Sequence, residues 1–243
     1  VKIADMQGSF ENNHTLGKEP QTERRIPVHQ QVYQQLRNAV MFGELTPGEA
    51  VTIQGLIERT GAGMTPIREA IRRLTSEGAL EFRGNRRVIV PTPTIKDINE
   101  LILLREFIEP QLAAMAVGNI TDSQIAELTE IDSILDDSIS RGDVEAYLRH
   151  NYAFHAKLYA IADAPILNEV AESIWLRFGP AMRVVCGRMG TQNLPDKHKK
   201  ALLALTARDS EATAEAIRED VHQGMEQMRA AMENSSSFAE VID

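Results

Sequence analysis

Cysteine is almost missing from this chain: Cys186 stands alone among 243 residues. An intramolecular disulfide framework is therefore excluded, and the composition fits a reducing compartment. Cys186 itself reads as a small buried hydrophobe on a helix. Long apolar runs are missing too. No stretch reaches membrane-spanning length, and the first residues lack the basic-then-apolar layout of a signal peptide, so a soluble, cytoplasmic protein is expected. Also missing are a nucleophile elbow, a phosphate loop and paired catalytic acids, which argues against an enzyme. No repeat of fixed period is present, so a solenoid is not expected.

What is present is an uneven charge. The formal net charge of −9 would by itself argue against nucleic acid. Residues 26–93, however, carry eight arginines against six glutamates, a balance of +2, whereas residues 94–243 carry −11. A length of 243 residues favours two domains of moderate size, and the two halves differ in sign.

The hydrophobic pattern divides the chain in the same place. Residues 1–25 are polar and without period, and read as a mobile arm. Residues 26–93 show three short helical patterns, then Leu80 and Phe82 followed by Val88, Ile89 and Val90 around Gly84-Asn85, the pattern of a two-stranded ribbon. Pro91-Thr92-Pro93 marks the boundary. Residues 94–233 show helical periodicity only: a helix near 95–118 capped by Thr94, one from Thr121 or Asp122 to about 141, one from Asp143 to about 162, a largely apolar one from Pro165 to about 189, and two more at about 195–208 and 210–232. Residues 234–243 read as a flexible tail. The fold class expected is mainly α: an N-terminal winged helix-turn-helix followed by an all-α six-helix bundle.

In the first block Thr52 precedes a short helix, Gly61-Ala62-Gly63 makes a turn, and Thr65-Pro66 starts the next helix, with Thr65 as cap and Pro66 as first helical residue. Helix, glycine-containing turn, helix and ribbon is the order of a winged helix-turn-helix. Ile67, Ala70, Ile71 and Leu74 form the core face of the second helix. That leaves Met64, Thr65, Arg68 and Arg72 exposed together, where groove-reading helices present arginine forks to guanine edges or phosphates. Gly84, Asn85, Arg86 and Arg87 at the ribbon tip would reach phosphate or the adjacent minor groove. A winged helix of this size gains affinity and half-site spacing by pairing, so a homodimer on a palindromic double-stranded operator is expected.

The second block carries polar misfits on apolar stripes. Asn151 and His155 share a face with Val144, Leu148, Leu158 and Ala162; His198 shares one with Leu202 and Leu205; Asp220 lies with Ile217, Val221, Gly224 and Met228. His222, two residues on, points away from that face. Imidazoles plus a carboxylate oxygen suit zinc, nickel or manganese, and a buried polar network without metal is the competing reading. Arg105 lies on the stripe Ile98, Leu101, Ile108, Leu112, and Arg177 with Leu167, Val170, Ile174 and Ala181. A buried guanidinium needs an anion. Two readings stay open: pairing with Asp220 or Glu109, or holding the carboxylate of a small organic acid whose other oxygens complete the metal shell.

The runs Leu45-Thr46-Pro47-Gly48, Thr65-Pro66-Ile67-Arg68-Glu69-Ala70-Ile71-Arg72-Arg73-Leu74 and Glu77-Gly78 resemble the DNA-binding domain of the GntR family of bacterial transcription regulators. The six helices that follow resemble the FadR-like subgroup with an FCD effector domain. The chain departs from the family pattern at Gly63 and Met64, where a hydroxyl and a basic residue are usual, at Ile53-Gln54, and at Arg87, often a wing glycine. The resemblance therefore implies groove binding without fixing the operator. It also implies a metal quartet of Asp, His, His and His, where this chain has Asn151, His155, His198 and Asp220. The expected function is a dimeric repressor-type regulator sensing a small carboxylate at a metal site. The rivals are a metal-dependent enzyme fused to a DNA-binding domain, and a constitutive DNA-binding protein whose metal-free bundle only dimerises.

Overall fold

The computed structural model describes residues 26–84, 87–189 and 197–233. The first unit contains α1 (Val28–Met41), β1 (Ala50–Val51), α2 (Ile53–Thr60), α3 (Met64–Ser76), β2 (Glu81–Arg83) and β3 (Arg87–Ile89). Thr52 caps α2 by accepting from the Gly55 N–H at 3.0 Å, and Gly61 ends it in the left-handed conformation that glycine adopts without strain. Helix α3 starts earlier than the Thr65-Pro66 signal implies: Gly63 is its N-cap and Met64 its first residue. Pro66 falls within the first turn, where a missing N–H costs nothing because that donor has no intrahelical partner. Thr65 is thus a helical residue rather than a cap.

The sheet has three strands in the order β1-β3-β2, all antiparallel, with Val88 between Val51 and Phe82. The ribbon expected from sequence is β2-β3. Strand β1, two residues long, is too short to show alternation and is recruited by the edge of β3. Ile67, Ala70, Ile71 and Leu74 of α3 are buried with Leu36 and Val40 of α1, Leu56 and Leu80. Burying such side chains contributes on the order of 1.5–3 kcal/mol each.

The second unit contains α4 (Ile95–Val117), α5 (Asp122–Arg141), α6 (Val144–Ile161), α7 (Pro165–Met189), α8 (His198–Thr206) and α9 (Ser210–Glu233). Reciprocal capping boxes, Thr94 with Asp97 and Thr121 with Gln124, fix the starts of α4 and α5, and Asp143 caps α6. Among the described residues no helix is long and apolar enough to cross a membrane.

The two units meet where α1 crosses α7. A Cβ on Gly179 would lie 2.3 Å from the Met41 carbonyl oxygen, so only glycine permits this approach. Around the crossing, Arg37 bonds Glu172 at 3.1 Å, and Arg149 of α6 bonds Glu44 at 2.9 Å while lying 4.5 Å from the centre of the Phe42 ring.

Candidate metal centre and nucleic-acid interface

On α3, burial of Ile67, Ala70, Ile71 and Leu74 turns Met64, Thr65, Arg68 and Arg72 to solvent together. Neither Arg68 nor Arg72 has an acidic partner among the described residues, whereas Arg59 bonds Glu44 and Arg73 bonds Glu77 while covering the Tyr33 ring. The two arginines of α3 without an acidic partner are therefore on its exposed face, Arg68 in the second turn and Arg72 one turn further on. Gly84 turns with φ 42°, and Arg87 is exposed on β3. Asn85 and Arg86 lie outside the described residues, as do the arm at 1–25 and the tail at 234–243.

In the bundle, α6, α8 and α9 bring His155, His198 and Asp220 together. His155 Nε2 lies 3.1 Å from Asp220 Oδ2 and 3.3 Å from His198 Nε2; the third side, His198 Nε2 to Asp220 Oδ2, is 3.9 Å. Both imidazoles are buried, and the Asp220 side chain is 17% exposed. Phe154 stacks on the His198 ring at 3.9 Å, and Trp175 lies 5.2 Å from that of His155.

Proton bookkeeping shows what these three atoms offer one another. Arg105 is buried and holds both carboxylate oxygens of Glu109, with Nη2 to Oε2 at 3.0 Å. Burial works against the Arg105 charge, but Glu109, Tyr159 and Asp220 keep it protonated. Both Glu109 oxygens accept from this guanidinium, and the Tyr159 hydroxyl donates to Glu109 Oε2 at 2.6 Å. Having given its one proton, Tyr159 can only accept from His155 Nδ1 at 2.8 Å. His155 thus carries its proton on Nδ1 and presents a lone pair at Nε2. On the other side His198 Nδ1 lies 3.2 Å from Asp132 Oδ1 of α5, and Nε2 is the ring nitrogen turned to the centre.

Two imidazole nitrogens, that of His155 with its lone pair inward, and a carboxylate oxygen therefore converge, a donor set that a cation can share. Burial disfavours the Asp220 carboxylate, yet His198, His155 and Arg105 outweigh it and bring its pKa down to about 2. Burial likewise pushes the His155 imidazole below its ordinary value, towards the neutral form that ligates. Two sides, 3.1 and 3.3 Å, are close to the roughly 3.3 Å that separates tetrahedral ligand atoms at metal bonds of about 2.0–2.1 Å, and the third, 3.9 Å, is longer. The donor set fits a divalent transition metal.

The remaining expected site residues fall differently. Asn151 lies one turn before His155 on α6 and is half-buried. His222 is exposed and bonds Glu106 at 2.7 Å, off the ligand face as its phase requires. Arg105 is buried as expected, and its anion is Glu109. Arg177 is a correction: it is exposed, and its guanidinium packs on Gly78 of the DNA-binding unit, where an added Cβ would lie 2.6 Å from it. Helix α7 is apolar on nearly every side, and its inward face is Ala171, Ile174, Trp175, Phe178 and Ala181, not the stripe that contains Arg177. Sequence reasoning missed Asp132 and Tyr159. Asp132 interrupts the apolar spacing Leu128, Leu135 and was a legible signal; Tyr159, an aromatic among aromatics, gave none.

A winged helix with an unpaired arginine face, joined to a helical bundle with an inward cluster of metal-ligand side chains, is the architecture of a two-domain transcription regulator. The chain belongs to the GntR family and carries an FCD domain: "Bacterial regulatory proteins, gntR family" matches residues 28–90 and "FCD domain" residues 100–223. The HTH-type transcriptional regulator McbR of Escherichia coli (strain K12) is 29% identical over 205 residues, covering 83% of this chain and 93% of McbR. The HTH-type transcriptional repressor RspR of the same strain is 25% identical over 91% of this chain and 98% of its own. The solved structure of E. coli McbR/YncC superposes with a TM-score of 0.79 over 84% of this chain and 97% of that one.

Proposed function

We propose that this regulator is a repressor that binds a palindromic operator as a dimer and responds to a small carboxylate at a metal site formed by His155, His198 and Asp220. The observation that carries the reading is the convergence of two imidazole nitrogens and one carboxylate oxygen, with His155 oriented from behind by Tyr159 and His198 Nδ1 lying against Asp132. Zinc, nickel and manganese all suit this donor set. Such an ion supplies a Lewis acid to which carboxylate oxygens bind. One aspartate leaves a divalent ion with net positive charge, which favours an anionic effector.

Arg105, already held by Glu109, orients the site rather than gripping the effector. Asn151 serves as a weak or water-mediated fourth partner. The repressor reading draws on the name of RspR; the exposed face of α3 supports groove binding by Met64, Thr65, Arg68 and Arg72, and the sequence pattern adds Gly84, Asn85, Arg86 and Arg87 as wing contacts.

Elemental analysis of protein purified without chelator or affinity tag tests the centre. About one transition metal per chain is expected, lost in His155→Ala and kept in His222→Ala, with operator binding by His155→Ala retained. A metal-free native protein would leave the bundle a dimerisation device, and loss of metal in His222→Ala but not in Asp220→Ala would overturn the ligand assignment. Thermal shift of the metal-loaded protein against a panel of small carboxylates, with His155→Ala as control, tests the effector class.

A further inference from the structure

We propose that the indole N–H of Trp175 is a hydrogen-bond donor to the anion sensed at the centre, so that one oxygen of a small carboxylate sits on the metal and another accepts from Trp175. The inference rests on the metal-site reading above and adds a residue that selects the ligand. Trp175 on α7 is 5% exposed, and its Nε1 finds no acceptor among the described residues. Buried polar atoms are nearly always paired, and an indole N–H in an interior usually has its acceptor. A purely apolar wall has no need of that donor, because phenylalanine lines such a wall without one.

Two features tie this donor to the centre. The first is its neighbourhood: the Trp175 ring lies 5.2 Å from the ring of His155, tilted by 44°, and Arg105 Cζ lies 4.6 Å from the centre of the indole. The second is its rigidity. Tyr152 meets the ring edge-on at 5.4 Å and Phe178 packs on it at 4.9 Å, so four side chains hold the indole and the N–H cannot swing away to another acceptor. The groups around it are already engaged or cannot accept. A guanidinium only donates, His155 Nδ1 gives its proton to Tyr159, and the Glu109 oxygens accept from Arg105 and Tyr159. An anion drawn to the same place by Arg105 and by a divalent ion on His155, His198 and Asp220 brings the oxygen that this N–H lacks.

The chain has one tryptophan, so its indole gives one resonance in a proton–nitrogen correlation spectrum of the full-length protein. The probes are zinc and the panel of small carboxylates named above, acetate and citrate included. In the zinc-loaded protein the indole proton should move downfield as a binding carboxylate saturates, and should stay in place when the same anion is added to His155→Ala. Trp175→Phe should keep its zinc, because the indole is not a ligand, and should bind the anion roughly 10–100-fold more weakly, as loss of one hydrogen bond to a charged partner implies. The native spectrum decides the matter should that variant fail to fold. A carboxylate that raises the melting temperature while the indole proton stays still leaves Trp175 a packing residue: it overturns the inference and leaves the carboxylate reading intact. A protein that holds no metal, or a zinc-loaded one whose melting temperature no carboxylate raises, overturns both.

Discussion

The hydroxyl of Tyr159 accepts the Nδ1 proton of His155 at 2.8 Å, and that single contact decides which nitrogen of the imidazole faces the centre. Tyr159→Phe removes the acceptor with almost no change of volume, so the fold should persist. Metal affinity should fall about 10–100-fold, the usual effect of losing a hydrogen bond behind a ligand. Competition with a chromophoric chelator reads the change; an unaltered dissociation constant would show that the tautomer is set by something else.

Arg68→Ala should weaken operator binding by roughly 1–3 kcal/mol and relax discrimination at one base position. Arg87→Ala at the wing should instead weaken all sequences alike and reduce the slope of log K against log salt by about one unit. Titrations of operator and scrambled duplex at several salt concentrations separate the two. Equal losses on both duplexes for Arg68→Ala would place that side chain on phosphate.

At the crossing of α1 and α7, Gly179→Ala drives a methyl group to 2.3 Å from a backbone oxygen that no rotamer change can move aside. The two helices must separate, at a cost of about 1–3 kcal/mol. A lower melting temperature and faster proteolysis between the two units are the expected readouts. A variant as stable and as resistant as the native protein would mean the crossing relaxes freely.

Acid should destabilise the metal-free protein in two stages. Burial holds His155 below its ordinary 6.5, and the partners of Asp220 hold that carboxyl below its ordinary 3.8, at about 2. For both, the unfolded chain takes up the proton first as pH falls, so stability is lost with acid. The histidine part begins below 6.5 and the aspartate part runs from 3.8 towards about 2. Urea unfolding between about pH 7.5 and 5 should show the first stage, and His155→Gln should flatten it. A native profile that rises towards acid would reverse the assignment of the neutral imidazole.

Much of this was legible because local chemistry and tertiary need agree. Thr94, Thr121 and Asp143 mark helix starts by side chain, and the starts fall there. The phases of α6 and α9 are clear because polar residues mark the outer face, so His155 and Asp220 could be aimed inward and His222 outward. Helix α7 offers no such contrast, which is why Arg177 was misplaced. The link from Arg105 through Glu109 and Tyr159 to His155 joins residues fifty positions apart across two helices, a separation that no helical period encodes. Strand β1 exists because β3 has a free edge, a property of the assembled sheet.

Helix α7 touches both ends of the molecule's work: Gly179 lies beneath Met41, Glu172 holds Arg37 and Arg177 covers Gly78, while Trp175 stands beside His155. One rod is thus both a wall of the proposed metal centre and the bed on which the gripping unit rests. There is little slack joint between them to bend. On the proposed reading, an effector held in the chamber would reach the gripping unit as a tilt of the whole chain, in the way a pair of tongs answers at the jaws to a change at the pivot.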